Sequence, residues 1–394
     1  MRAIIQKRVF SFLMFLLLAL LIPIQIFADG LEDEEVIPAA KDIPISSNGA
    51  ILMEATTGQV LFEQQAHDKL PIGTLNKIMT VLLVAEAIDR GELALTDTIT
   101  AGNNAFSAKG AVIWLSAGEK MSVDDLLKGV IIGNANDASI ALAEALSGTQ
   151  EAFVDQMNAR AAEIGMSNTV FRNCAGYDTE DQYSTAYDVA LMSRELIKHN
   201  FLYPYMTCWM DELRGGATSI VNTNILVKNY NGIIGIKAGY SEAARNCLAA
   251  AAKRDDSTYI AVVLGCEDKD ARFSEAKSLM NSGFSNYQVA SPTVPSEVLT
   301  PIPVTGGTAQ KVGVRVENQV NIVIPNGTLN EITHEAVLPE RLEAPVKEGQ
   351  IIGEISFYRN DQLLYKSNLL ATAPVDEMTL FKAFSILLKR MVRF

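Results

Sequence analysis

The sequence predicts a mixed α/β (α+β) domain, then a small all-β domain, then a C-terminal amphipathic helix. Three observations predict this. Strand-like text at residues 50–63 and again at 258–265 encloses a long helical middle, the pattern of a sheet with helices packed on it. After Tyr287 the text becomes short alternating runs separated by Pro and Asn-Gly turns. From residue 377 onward, apolar and basic side chains fall on opposite arcs of a helical wheel. The 394 residues suffice for two ordinary domains, and a composition of 48% hydrophobic and 20% charged residues is that of a core-forming chain.

Taken in order, Arg2, Lys7 and Arg8 precede an almost unbroken apolar run at 9–22, which Pro23 ends. Small Ala28 stands just before Asp29, so residues 1–28 read as a cleaved secretory signal. An uncleaved membrane anchor is the rival reading, because the run approaches bilayer-spanning length. Both place the remainder outside the cell, at the outer face of the cytoplasmic membrane or in the cell wall. Residues 29–45, with Glu32-Asp33-Glu34-Glu35, read as an acidic, solvated linker.

The first domain is expected over residues 46–287. Residues 50–54 and 59–63 flank Thr57-Gly58 as two strands about a turn. Residues 78–88 form an apolar helix closed near Gly91; 123–146 are helical with a break at Gly133, and Ser122 is placed to cap the start. Helices follow at 151–164 and 185–199, with Asp188 in the first turn of the latter. A buried strand at 258–265 leads into a helix through Met280.

The β-rich domain, 292–374, carries strands at 312–316, 320–324, 351–358 and 362–370. In the tail, 375–394, Leu380, Phe381, Phe384, Leu387, Leu388 and Met391 oppose Lys382, Lys389, Arg390 and Arg393. Such a helix either lies in the plane of an anionic membrane surface or packs on its own β domain; the positive charge at the end of an acidic protein favours the membrane.

Composition excludes several functions. The net charge is -13, and the first 28 residues hold basic groups and no acid, so the chain beyond them is more acidic still. That argues against nucleic acid as a partner. His67, His199 and His334 are scattered with no ligand spacing, and no glycine-rich phosphate loop is present, so neither a metal nor a nucleotide cofactor is expected. Cys174, Cys208, Cys247 and Cys266 form no CxxC pair; Cys247 and Cys266 lie in apolar, strand-like text, where buried free thiols are expected.

Three motifs carry chemistry. Thr74-Leu75-Asn76-Lys77 places a hydroxyl and an amine one helical turn apart at the start of an apolar helix. A helix start favours an oxyanion, and a desolvated lysine there has a lowered pKa and can take the hydroxyl proton. Alone this pattern is weak, and an ordinary helix cap is the favoured reading of it. The second motif is Asn134-Ala135-Asn136 between two helical runs, and the third is Lys237-Ala238-Gly239 before a strand.

The order and spacing resemble the SxxK, SxN and KTG motifs of penicillin-binding proteins and serine β-lactamases. Met53-Glu54-Ala55-Thr56-Thr57-Gly58, Asn136-Asp137-Ala138-Ser139, Tyr183-Ser184-Thr185-Ala186-Tyr187-Asp188, Val221-Asn222-Thr223-Asn224 and Ala252-Lys253-Arg254 resemble the low-molecular-mass D-alanyl-D-alanine carboxypeptidases, in particular the sporulation-associated ones of endospore formers. The resemblance runs from about residue 46 to the end. It implies a penicillin-binding fold, no cofactor, and a peptidoglycan stem peptide ending in D-Ala-D-Ala as substrate, with β-lactams as inhibitors. It also implies roles: Thr74 at the nucleophile position, Lys77 as general base, Asn134 and Asn136 as the SxN pair, and Lys237, Ala238 and Gly239 on the substrate.

Here the chain departs from its relatives' pattern. Thr74, Asn134 and Ala238 each replace a family hydroxyl residue, and Asn76, Gly73 and Gln182 replace the usual threonine, alanine and histidine nearby. Threonine's methyl restricts χ1 and crowds attack, and misplacement near reacting atoms costs about a hundredfold. Asn134 cannot relay a proton. Loss of a hydroxyl from a carboxylate costs about 1.5–3 kcal/mol. Together these predict an enzyme of reduced or lost activity. A non-catalytic protein that binds stem peptides or a partner is the competing class. A β-lactamase shares the motifs but leaves the β domain and tail unexplained. Arg245 is a candidate substitute contact for a carboxylate, or else a surface arginine.

Overall fold

In the computed structural model, residues 43–384 are described; the expected signal, nearly all of the acidic linker and residues 385–394 of the tail lie outside them. The central sheet is built from strands β1 (Gly49–Glu54), β2 (Val60–Gln64), β3 (Ile233–Ser241), β4 (Arg245–Arg254) and β5 (Ser257–Cys266). Their order is β2-β1-β5-β4-β3 with every pairing antiparallel, so β3 is an edge strand. Alternation along β4 assigns its two faces. Cys247, Ala249 and Ala251 join one hydrophobic cluster; Leu248, Ala250 and Ala252 join the other. Because both faces are covered, β4 and β5 read as apolar runs rather than as half-exposed strands.

Helices α1 (Lys77–Asp89), α2 (Val123–Ile131), α3 (Asn136–Ser147), α4 (Gln150–Glu163) and α5 (Ala186–Leu196) cover the first face, and α6 (Ala271–Asn286) covers the second. In α1 nearly every side chain is buried, including Lys77, which makes it the central helix of the core. The expected Ser122 cap is present, its Oγ accepting the Asp125 N–H at 3.1 Å. Thr185 caps α5 in the same way, accepting the Asp188 N–H at 3.0 Å. The predicted break near Gly133 falls between α2 and α3. Helix α6 runs six residues past the expected Met280. Gly283 is what permits this, since a Cβ there would sit 3.0 Å from the Tyr259 ring.

The β-rich region has its own core, with Ile324, Ile355, Leu369 and Ala371 fully buried. Its four-stranded sheet is ordered Val314–Val316, Gln362–Ala371, Ile351–Arg359, Ile332–Val337. The single strand expected at 312–316 is split at Gly313, where a Cβ would meet Thr372 Oγ1 at 2.6 Å. The strand expected at 320–324 is Ile322–Pro325 and pairs with Tyr287–Ala290. Ile332–Val337 had no sequence signal because it is an edge strand with no buried face to impose alternation. Where the tail begins, Leu380, Phe381 and Phe384 are exposed. Among the described residues no helix is long and apolar enough to cross a membrane.

Candidate active site

Thr74 lies in a short 3-10 turn, Gly73–Asn76, and the α-helix begins only at Lys77. In a 3-10 turn residues i and i+3 eclipse, so Thr74 and Lys77 still share a face. Two close approaches hold the turn. Gly239 of β3 backs onto it, since a Cβ there would lie 2.8 Å from Leu75 Cγ. Gly176, at φ +82°, covers it from the other side, where a Cβ would come within 2.4 Å of the Gly73 oxygen. Only glycine fits either position.

The structure brings the three motifs together. Lys77 is fully buried, and its Nζ donates to Asn136 Oδ1 and to the Ala175 carbonyl, both at 2.6 Å. Burial holds its pKa well below the ordinary lysine value, and the nearby charge of Lys237 adds to the effect. Asn136 is fixed in turn, its Nδ2 donating to the Lys109 carbonyl at 2.6 Å and its N–H to the Ala111 carbonyl at 2.7 Å.

Asn134 occupies the link between α2 and α3 with φ +56°, a left-handed conformation that Asn enters more readily than most residues. Its Nδ2 donates to Thr74 Oγ1 at 3.4 Å. The Tyr240 N–H, next after the Lys237-Ala238-Gly239 motif, donates to the same oxygen at 3.2 Å. Thr74 Oγ1 therefore accepts from two donors, and no hydrogen bond joins it to Lys77 among the described residues.

Lys237 is also buried, yet its Nζ has no hydrogen-bond partner among the described residues, and burial alone presses its pKa down to about 7. Asn134 Oδ1 is likewise buried and unpartnered. A buried amine and a buried amide oxygen without partners suit a ligand with a carboxylate and an N–H.

One expectation needs correction. Ala238 sits on the sheet face opposite to Lys237: it pairs with Leu248, and its methyl belongs to the apolar cluster under α6. Of the two readings of Arg245, the geometry agrees with the surface arginine: its Nη1 is ion-paired with Glu267 at 2.6 Å, both side chains exposed. All four cysteines are free thiols, with Cys174, Cys247 and Cys266 buried.

Several site residues carried no sequence signal. Asn173 Oδ1 accepts the N–H groups of Ala175, Gly176 and Tyr177, and so shapes the loop whose Ala175 carbonyl receives Lys77. Two departures from the resembled pattern also meet in space. Asn76 Nδ2 donates to the Asn173 carbonyl at 2.7 Å and to Gln182 Oε1 at 3.3 Å. Gln182 Oε1 also accepts the Arg172 N–H at 3.0 Å. The substitutions at 76 and 182 thus form one hydrogen-bonded unit behind the Thr74 turn.

Comparison with known proteins agrees with this geometry. Residues 35–268 match the D-alanyl-D-alanine carboxypeptidase family, and residues 287–377 match the C-terminal domain of penicillin-binding protein 5. The D-alanyl-D-alanine carboxypeptidase DacF of Bacillus subtilis is 33% identical over 93% of this chain and 94% of its own length. DacC of Escherichia coli is 33% identical over 84% of this chain and 85% of its own. Among solved structures, penicillin-binding protein 5 of Haemophilus influenzae superposes with a TM-score of 0.79 at 27% identity, covering 86% of this chain and all of that one. Penicillin-binding protein D2 of Listeria monocytogenes, solved in its cefotaxime-bound form, covers 62% of this chain and all of its own with a TM-score of 0.57 at 29% identity.

Proposed function

Because this chain belongs to the D-alanyl-D-alanine carboxypeptidase family, we propose that it engages peptidoglycan stem peptides ending in D-Ala-D-Ala outside the cytoplasm and cleaves them at a strongly reduced rate through Thr74. In this reading Lys77, whose pKa burial lowers, takes the Thr74 proton. Thr74 Oγ1 attacks the penultimate D-Ala carbonyl; the C–N bond breaks, the terminal D-Ala leaves with a proton on its amine, and water then hydrolyses the ester. Lys237 Nζ, buried and unpartnered, meets the terminal carboxylate.

One observation carries the reduced rate. Thr74 Oγ1 accepts from Asn134 Nδ2 and the Tyr240 N–H instead of donating to Lys77. Its lone pairs face donors, and a backbone donor suited to the oxyanion is engaged by the attacking oxygen itself. The hydroxyl must rotate before it can react, and its β-methyl restricts that rotation. Asn134 supplies no transferable proton for the leaving amine.

The test is covalent labelling of the purified full chain with a fluorescent penicillin, read by intact mass, beside Thr74→Ser. Slow labelling at Thr74, accelerated about tenfold to a hundredfold by serine, is the expected result. Labelling of the wild type as fast as the serine variant would overturn the reduced rate. A second reading, a non-catalytic stem-peptide binder, is favoured by the open Lys237 Nζ and Asn134 Oδ1. Binding of a D-Ala-D-Ala peptide with no label on either chain would favour it.

We propose further that the chain is exported and rests on the membrane through its tail. Leu380, Phe381 and Phe384 are exposed at the start of that segment. In-plane binding needs an apolar face rather than a spanning helix.

A further inference from the structure

Among the buried charged side chains that the proposed reaction does not use, one is a guanidinium behind the edge strand. Arg272, in the first turn of α6, lies on the sheet face opposite to the helices that carry Thr74 and Lys77. It is 5% exposed, and its hydrogen bonds run to backbone rather than to a carboxylate. Nη1 donates to the Gly239 carbonyl at 2.8 Å and lies 3.5 Å from the Cys247 carbonyl on the facing strand. Nε has no partner. The guanidinium lies 4.7 Å from the Phe273 ring centroid and feels the charge of Asp270, but no ion pair joins it to a carboxylate among the described residues. Taking a guanidinium out of water without a paired anion is costly.

What Arg272 grips is one end of a particular peptide unit. The Gly239 carbonyl and the Tyr240 N–H belong to the same trans peptide and point in opposite directions. The N–H end donates to Thr74 Oγ1 at 3.2 Å. The arginine and the hydroxyl of Thr74 therefore sit at opposite ends of a single peptide plane. Lateral movement of that plane is blocked too, since Gly239 already packs against Leu75 with no room for a Cβ.

We infer that Arg272 is a positioning residue, which fixes and polarises the Gly239–Tyr240 peptide so that its N–H faces the oxygen of the tetrahedral intermediate. A cation on the carbonyl draws electron density through the amide and makes the N–H a stronger donor. Because the strand is at the sheet edge, no further strand holds its outer side in place. The arginine supplies that restraint from beneath. The catalytic consequence rests on the function proposed above; the hold on the peptide does not.

Two readouts separate those parts. The first is the Tyr240 amide in the full chain labelled with 15N-tyrosine, assigned by its loss in Tyr240→Phe. The second is the acylation rate by fluorescent penicillin in the Thr74→Ser background. Arg272→Met keeps the aliphatic packing and removes the charge. It is expected to move the Tyr240 amide upfield and speed its hydrogen exchange at least about tenfold. Acylation should slow about tenfold to a hundredfold, less than for loss of an oxyanion donor outright, with penicillin affinity before acylation changed less than about threefold. Arg272→Lys should recover part of both effects.

A folded Arg272→Met chain whose Tyr240 amide is unmoved overturns the inference. So does a rate loss that appears wholly as weaker penicillin binding. If Arg272→Met does not fold, the lysine and glutamine variants decide in its place: the amide should respond less to lysine than to glutamine, and equal responses overturn the inference. If neither wild type nor Thr74→Ser is ever acylated, the catalytic reading fails, while the Tyr240 amide still decides whether Arg272 holds the peptide.

Discussion

Lys77 and Lys237 are both buried and near enough for the charge of the second to act on the first, and they differ in their hydrogen-bond partners. Lys77 has two oxygen partners at 2.6 Å, one from a side chain and one from a loop carbonyl. Lys237 has none. Burial depresses the pKa of both, Lys237 to about 7. The first amine is therefore part of the protein's own framework, its position set before any ligand arrives. The second is a buried, unpartnered electrostatic site, neutral or charged according to pH and to what it meets. Loss of Lys77 is therefore felt by the fold as well as by the ligand, whereas loss of Lys237 is felt chiefly by the ligand.

The sharpest way to break this comparison is to remove Lys77. Lys77→Ala leaves Asn136 Oδ1 and the Ala175 carbonyl without their shared donor, and each buried group left unpaired costs about 1–3 kcal/mol. Two effects are expected together: penicillin labelling falls below detection, and thermal unfolding shifts several degrees lower. Labelling that survives would mean that Lys237, or water, deprotonates Thr74, and that the two lysines do not divide the work as described.

The next effect is smaller and depends on pH. For Lys237 the folded pKa, about 7, lies below the unfolded value of about 10.4. Between those values the unfolded chain holds a proton that the native chain does not. Stability therefore rises with pH across that window, by at most about 1.4 kcal/mol per pH unit from this lysine. A bound carboxylate reverses the preference, because it favours the ammonium. Affinity for a D-Ala-D-Ala tripeptide is thus expected to fall up to about tenfold per pH unit above 7. Calorimetric titration at pH 6 to 9 checks the affinity, and the melting temperature without ligand checks the stability. Lys237→Met should flatten much of each profile. A peptide affinity independent of pH would remove Lys237 from carboxylate binding.

How much of this was legible beforehand follows from where the chemistry resides. Thr74, Lys77, Asn134, Asn136 and Lys237 announce themselves as side chains in short motifs, and the structure gathers them. The central sheet and its helices were legible as well, because burial on both faces leaves continuous apolar text in β4 and β5. The groups that complete the site act through backbone, which carries no residue signature. The Ala175 and Lys109 carbonyls and the Tyr240 N–H belong to this class. Asn76 and Gln182 were each visible as departures, but their hydrogen bond spans 106 residues and is visible only in the fold. Arg245 matches its surface reading for a local reason, since its φ of +55° lies at the tight β3–β4 turn and its guanidinium pairs with Glu267.

The smallest effect is expected at Ala238, although the family pattern places a threonine there. Resemblance alone assigns the missing hydroxyl a contact with the substrate carboxylate, a hydrogen bond of about 1.5–3 kcal/mol. Position argues for less. Ala238 is 2% exposed and faces Leu248 on the far side of β3 from Lys237, so a new hydroxyl starts in an apolar cluster. It must reach around the strand edge to meet a ligand, and burying it unpaired would offset part of the gain. Ala238→Thr should therefore raise the acylation rate of the Thr74→Ser chain less than about tenfold, with little change in melting temperature. A larger gain would mean that the edge strand turns its outer face toward the ligand. The carboxylate would then be shared between Lys237 and residue 238, and the comparison of the two lysines would extend to both faces of β3.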